Sequence, residues 1–203
     1  VIKMNLNGFY PIDYSKKDLP EIGIGVLGYG FMGQTHSNAF IKIPFTCAHP
    51  AAKPILIALA GRTSQKVEYT ARRFGYQGYY LDWKLLAQDP RIDIFDNCTP
   101  DDQHFLPSMV AMENGKHVIC EKPLTLKLDE AKQMVRKAKE TGVKTMCCYN
   151  YRFLPAVRLA RQLIEQGVLG KIYHFRAKYL QQAGHDPNTP LEKVWYAHGT
   201  CSG

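Results

Sequence analysis

The sequence predicts an α/β fold: a doubly wound parallel sheet covered by helices on both faces, followed by the start of an α/β domain whose sheet is mostly antiparallel. Three observations predict it. From Glu21 onward, short apolar runs alternate with segments of helical period, the pattern of right-handed βαβ units. The first apolar run leads straight into VLGYGFMG, a glycine-rich turn that opens a helix. After YNYRF the texture changes, and one long run, GKIYHFRAKYL, alternates polar and apolar residues, as a strand with one wetter face does.

Taken in order, EIGIGVLG reads as a strand and FMGQTHSNAFIKI as the helix after it. PILIALAG is the second strand and SQKVEYTARRFG the second helix. WKLLAQ is a short helix with Asp82 as its N-cap, a carboxylate being a good acceptor for the free N–H groups there. IDIFDNC is a strand, QHFLPSMVAMENG a helix stopped at Gly115, and HVIC a strand. In LDEAKQMVRKAKETG, the residues Leu128, Ala131, Met134, Val135 and Ala138 share one helical face, and Gly142 closes the helix. VKTMCC is a further strand and LPAVRLARQLIEQG a long amphipathic helix. The texture change divides the chain into an extension (1–20), a Rossmann-type domain (21–148) and the first part of a second domain (149–203). From His185 on, Pro, Gly and His dominate and the chain reads as a loop.

Composition narrows the function classes. The 203 residues are 45% hydrophobic and 22% charged, ordinary for a globular protein. No apolar run approaches the roughly 18 residues of a membrane span. No secretory h-region follows Val1, although a chain that starts on valine leaves a removed leader or a trimmed chain open. The six cysteines form no C-x-x-C pair, so no metal site is expected. Buried thiols in a reducing, cytoplasmic setting are. The net charge of +8 is scattered along helices such as KQMVRKAKE rather than interleaved with aromatics. That argues against nucleic acid and for an anionic small ligand.

Gly28, Gly30 and Gly33 have G-x-G-x-x-G spacing between a strand and a helix. The first permits a tight turn, the second lets a pyrophosphate approach the backbone, and the third lets helix and strand pack closely. The helix N-terminus then offers N–H groups and partial positive charge to the phosphates. An acid at the end of the second strand would bind a ribose 2′-hydroxyl and repel a 2′-phosphate. This chain has Gly61, Arg62, Thr63 and Ser64 there, which favours NADP slightly over NAD. Arg62 stacked on the adenine would equally suit NAD. In VICEKPLT, Glu121, Lys122 and Pro123 follow a buried strand, and charges there must be solvated, paired or used.

The glycine loop, NCTPDDQH, GKHVICEKPLT and YNYRF, in this order, resemble the Gfo/Idh/MocA family of sugar and polyol oxidoreductases. FRAKYLQQAGHDPNTPLEKVW is similar to its levoglucosan-dehydrogenase-like branch. The resemblance implies hydride transfer between a sugar carbon and a nicotinamide, and a second-domain sheet that assembles dimers or tetramers. It places Gly28, Gly30, Phe31, Met32 and Gly33 around the pyrophosphate. Thr99, Pro100 and His104 come near the nicotinamide half, and Asn150 and Arg152 line the cofactor and substrate cleft. Glu121 orients the cleft or touches the cofactor. Lys122 meets the reacting oxygen, where it stabilises an alkoxide or relays a proton. Lys122–Pro123 is expected to be cis.

The resemblance also implies a glycine turn, then an Asp and a His that complete the catalytic set. Cys201, Ser202 and Gly203 look like the entry to that turn. His174, His185 and His198 read as sheet or loop residues rather than substitutes. A non-catalytic dinucleotide-binding regulator, or an inactive truncated member of the family, is the alternative reading.

Overall fold

The computed structural model describes residues 19–47 and 50–180. Residues 1–18 of the expected 1–20 extension and the loop from His185 onward, with His185 and His198, lie outside them. The described residues carry a six-stranded sheet in the order β3-β2-β1-β4-β5-β6, every pairing of which is parallel. Its strands are β1 Glu21–Leu27, β2 Lys53–Ala60, β3 Gly78–Tyr80, β4 Ile94–Asn97, β5 His117–Cys120 and β6 Thr145–Cys147. The helices are α1 Phe31–Thr46, α2 Ser64–Phe74, α3 Trp83–Gln88, α4 Phe105–Glu113, α5 Leu128–Thr141 and α6 Pro155–Glu165. Short 3-10 turns occupy Asp101–Gln103 and Asn150–Phe153.

Apolar side chains leave the sheet on both faces, as a parallel sheet requires. One core joins Ile57, Phe95, Leu86, Met112, Val118 and Met134 under α3, α4 and α5. The other joins Ile24, Val26, Leu59, Val67 and Ala71 under α1 and α2. Helix ends follow their caps. The Asp82 carboxylate accepts from the Lys84 N–H at 2.9 Å, and Gly75 and Gly142 end α2 and α5 in the left-handed conformation.

The structure departs from the sequence reading in three places. Helix α1 runs through Pro44 to Thr46; so near the C-terminus, the missing proline N–H costs a single ladder bond. On α5 only Met134 is buried, while Leu128 and Val135 are exposed, because the helix rests on α4 and the sheet rim by a narrow stripe. Among the described residues, 171–180 form no strand. An alternating pattern needs a neighbouring strand for its hydrogen bonds, and that run has none there. The antiparallel sheet of the expected second domain is therefore not part of the described structure, and α6 has no buried residue.

Between β1 and β4 the chain reverses its direction of travel across the sheet, since β2 and β3 lie to one side and β4 to β6 to the other. Loops beyond the carboxyl ends of strands at such a switch point form a ligand crevice.

Candidate functional site

Main-chain bonds knit the carboxyl edge of the sheet into one continuous rim. Gly61 N–H donates to Tyr80 C=O at 3.1 Å, and Gly28 N–H to Ala60 C=O at 2.9 Å. Cys98 donates to Leu27, Glu121 to Asn97 and Cys148 to Cys120, each at 2.9 Å. The glycine loop, the residues after β2, the Thr99 turn and the Glu121–Lys122 pair thus stand in one row.

The loop meets the spacing argument atom by atom. Gly28 has φ +108°, and a Cβ there would lie 2.7 Å from Cys98 O. A Cβ on Gly33 would run into the Gly28 carbonyl, so the close approach of α1 to the strand end requires glycine. Gly30 is different: a Cβ there would meet no atom within 4 Å. Its missing side chain leaves open space over the first N–H groups of α1, which have no partner within the helix. This cradle fits a pyrophosphate. Phe31, 82% exposed, stands at its mouth, and Met32 packs inward against the α1/α2 core.

Asn97, the last residue of β4, fixes the next turn. Its Nδ2 donates to Gln103 O, His104 O and Ser108 Oγ at 3.1–3.2 Å. Its Oδ1 accepts from Thr99 Oγ1 at 2.6 Å and Thr99 N at 3.3 Å. Thr99 and Pro100 are held at the rim in this way. His104 is not presented to a ligand as expected. It is 1% exposed, and its ring nitrogens lie 2.7 Å from Pro123 O and 2.9 Å from Thr99 O. Each ring nitrogen faces a main-chain carbonyl, so the ring packs between the Thr99 turn and the Lys122–Pro123 turn.

Glu121 is also turned inward, 7% exposed. Its Oε2 accepts from the Lys122 N–H at 3.1 Å, and its Oε1 lies 3.1 Å from His36 Nε2. On the other side of that ring, Nδ1 is 2.8 Å from Asp96 Oδ2, and Asp96 is 0% exposed. Burial alone would lower the His36 pKa; the hydrogen bonds to Asp96 and Glu121 outweigh it and hold the pKa up at about 10. Burial pushes the Asp96 carboxyl up while His36 pulls it down. With a carboxyl on each ring nitrogen, the imidazole retains its second proton at neutral pH. The Cys98 thiol donates to Asp96 Oδ1 at 3.6 Å, and burial pushes the Cys148 thiol up to about 12. Ligand-type atoms of His36, Asp96 and Cys98, and of His36, Glu121 and Cys148, lie within 4.8 Å of one another. Both ring nitrogens are already committed to carboxyl groups, so the cluster is a closed hydrogen-bonded network.

Lys122 lies exposed on the rim, directly after Glu121, and its bond to Pro123 is cis. Arg62 and Thr63 are exposed just beyond β2. Asn150 and Arg152 sit on the exposed 3-10 turn that follows β6. Sequence reasoning missed Tyr29, His36, Asp96 and Asn97. The signal for Asp96 and Asn97 was present, two polar residues inside the apolar run IFDNC. His36 falls one helical turn past Gly33, on the face of α1 that Gly33 forces against the strand end.

The family model described as "Oxidoreductase family, NAD-binding Rossmann fold" matches residues 22–149. The chain belongs to the Gfo/Idh/MocA oxidoreductase family. Within it, levoglucosan dehydrogenase of Pseudarthrobacter phenanthrenivorans is 38% identical over 85% of this chain and 44% of its own length. The scyllo-inositol 2-dehydrogenase (NAD(+)) of Bacillus subtilis is 33% identical over 77% of this chain and 44% of its own. A solved levoglucosan dehydrogenase complex with NADH and levoglucosan superposes with a TM-score of 0.80 at 38% identity, covering 84% of this chain and 46% of that one. The chain thus spans less than half the length of these family members. Among the described residues, no helix is long and apolar enough to cross a membrane.

Proposed function

We propose that this chain is the cofactor-binding part of a Gfo/Idh/MocA enzyme that transfers a hydride between a nicotinamide dinucleotide and a sugar or sugar-like polyol. The observation that carries the reading is the single rim on which the Gly30 cradle and Lys122 both stand, with Thr99 between them. The two relatives named for levoglucosan and scyllo-inositol support the substrate class.

Gly28, Gly30, Phe31, Met32 and Gly33 hold the pyrophosphate, and Arg62 and Thr63 the adenosine end. Thr99, Pro100 and Asn150 flank the nicotinamide, and Arg152 contacts substrate hydroxyls. Glu121 and His104 act from behind, by fixing the turns that carry Lys122 and Thr99. The nicotinamide supplies the hydride acceptor or donor. With the cofactor bound, oxidation would take a hydride from the substrate carbon, and the hydroxyl would have to give up its proton. The Lys122 amine takes that proton, or as an ammonium stabilises the alkoxide while it forms. The absence of an acid after β2, together with Arg62, favours NADP slightly over NAD. We place the working protein in the cytoplasm as a homo-oligomer; the exposed apolar residues of α6, Leu159 and Ile164 among them, support burial against further structure.

The test is Lys122→Ala in the working protein. Dinucleotide binding is retained and turnover with a sugar substrate falls by at least about two orders of magnitude, within the range of an acid/base group. Unchanged turnover would remove Lys122 from the chemistry. Arg62→Asp should weaken NADP binding far more than NAD binding, and equal losses would deny Arg62 the 2′-phosphate.

A further inference from the structure

The end of β2 lacks the acid that reads a ribose diol, yet it is not vacant. Tyr29, between the first two glycines of the loop, lays its ring on Gly61. A Cβ on Gly61 would run into Tyr29 Cδ1 and Cε1, so a side chain of any kind at position 61 and this ring exclude each other. The Tyr29 hydroxyl donates to Thr63 Oγ1 at 3.0 Å. Thr63 is the N-cap of α2, but its side chain makes no cap hydrogen bond. Threonine at an N-cap ordinarily turns its oxygen onto the helix N–H groups; here that oxygen is engaged by Tyr29 instead. Gly28 N–H and Gly61 N–H are both bonded to the ends of neighbouring strands, so the loops that carry the pair are fixed.

We propose that Tyr29, with Thr63, is the reader of the adenosine ribose in this chain. The inference rests on the dinucleotide reading of the site. The Tyr29 proton is spent on Thr63, so the phenolic oxygen faces the ligand as an acceptor, and the Thr63 proton faces it as a donor. A ribose 2′-hydroxyl uses both. A 2′-phosphate, which needs donors only, uses Thr63 and the exposed Arg62 and is not repelled, because the pair is uncharged. The site therefore accepts both NAD and NADP: the phenolic oxygen serves the 2′-hydroxyl alone, and Arg62 the 2′-phosphate.

The test uses calorimetric titration with ADP-ribose and with its 2′-phosphate, which probe the adenosine half without any chemistry at the nicotinamide. The wild-type protein binds both. Tyr29→Phe keeps the ring on Gly61 and weakens ADP-ribose about three- to tenfold, the worth of one hydrogen bond, while the 2′-phosphate form changes less than about twofold. Thr63→Val removes the shared donor and weakens both. Equal losses for the two ligands in Tyr29→Phe, or none, would overturn the proposal and reduce Tyr29 to a packing residue. Failure of the wild type to bind either ligand would overturn the dinucleotide reading beneath it.

Discussion

Replacing Gly30 with alanine separates a glycine kept for a ligand from one kept for packing. In this structure Gly30 has φ −71° and ψ −166°, which alanine adopts without strain, and its Cβ would meet no atom within 4 Å. Stiffening the unfolded chain contributes roughly 0.4–1 kcal/mol of stability. Alanine is a poorer N-cap than glycine by about the same amount, so the net change stays within about 0.5 kcal/mol. Binding behaves otherwise. The new methyl occupies the space through which a pyrophosphate oxygen reaches the N–H groups of α1. Loss of one charge-assisted hydrogen bond, about 1.5–3 kcal/mol, weakens the dinucleotide about ten- to 150-fold. Gly33→Ala is the control, because its Cβ runs into the Gly28 carbonyl and backbone cannot rotate away. Overpacking of that kind costs about 1–3 kcal/mol, or a melting temperature lower by roughly 2–10 °C. The assay is thermal unfolding of both variants alongside titration with NADH. A Gly30→Ala protein that binds NADH as the wild type does would refute the assignment of the loop to the pyrophosphate.

Other consequences are testable in the same way. Asn97→Ala strands the Thr99 N–H and hydroxyl and two carbonyls in a part-buried turn, and should cost about 3 kcal/mol in denaturant unfolding; a loss below about 1 kcal/mol would mean that water replaces the amide. His36 titrates in the folded protein near pH 10 against an ordinary value of 6.5. Its contribution to stability is thus complete below pH 6.5 and is lost as pH rises toward 10. The clean window is pH 6.5 to about 7.5, above which unfolded cysteines begin to ionise while burial keeps Cys98, Cys120 and Cys148 protonated. Wild-type stability should fall across that window and His36→Gln should flatten the slope; equal slopes would show that the imidazole is neutral.

The sequence by itself determined the parallel sheet, because a short apolar run followed by a helical period has few other ways to bury both faces. It also determined the glycine turn between β1 and α1 and the position of Lys122. Gly28, Gly30 and Gly33 state their backbone requirements locally, and a lysine just after HVIC must emerge at the carboxyl edge of the strand. The three-residue β3 escaped, since GYY has no periodicity to read, and GKIYHFRAKYL shows the converse: alternation alone does not make a strand, and among the described residues no neighbour supplies it with hydrogen bonds. What only the tertiary structure decided concerns residues far apart in the chain. His36 meets Asp96 and Glu121 because α1 is drawn against the strand ends by Gly33, and that contact, which no local pattern announces, turns the Glu121 carboxylate inward. His104 reads in sequence as a cofactor contact, yet Thr99 O and Pro123 O converge on its ring and bury it. Tyr29 is an unmarked residue between two glycines until the register of β1 and β2 sets it on Gly61. Local backbone demands are written in single residues, whereas which polar groups find one another across loops depends on how the strands are ordered, and no short stretch of sequence carries that order.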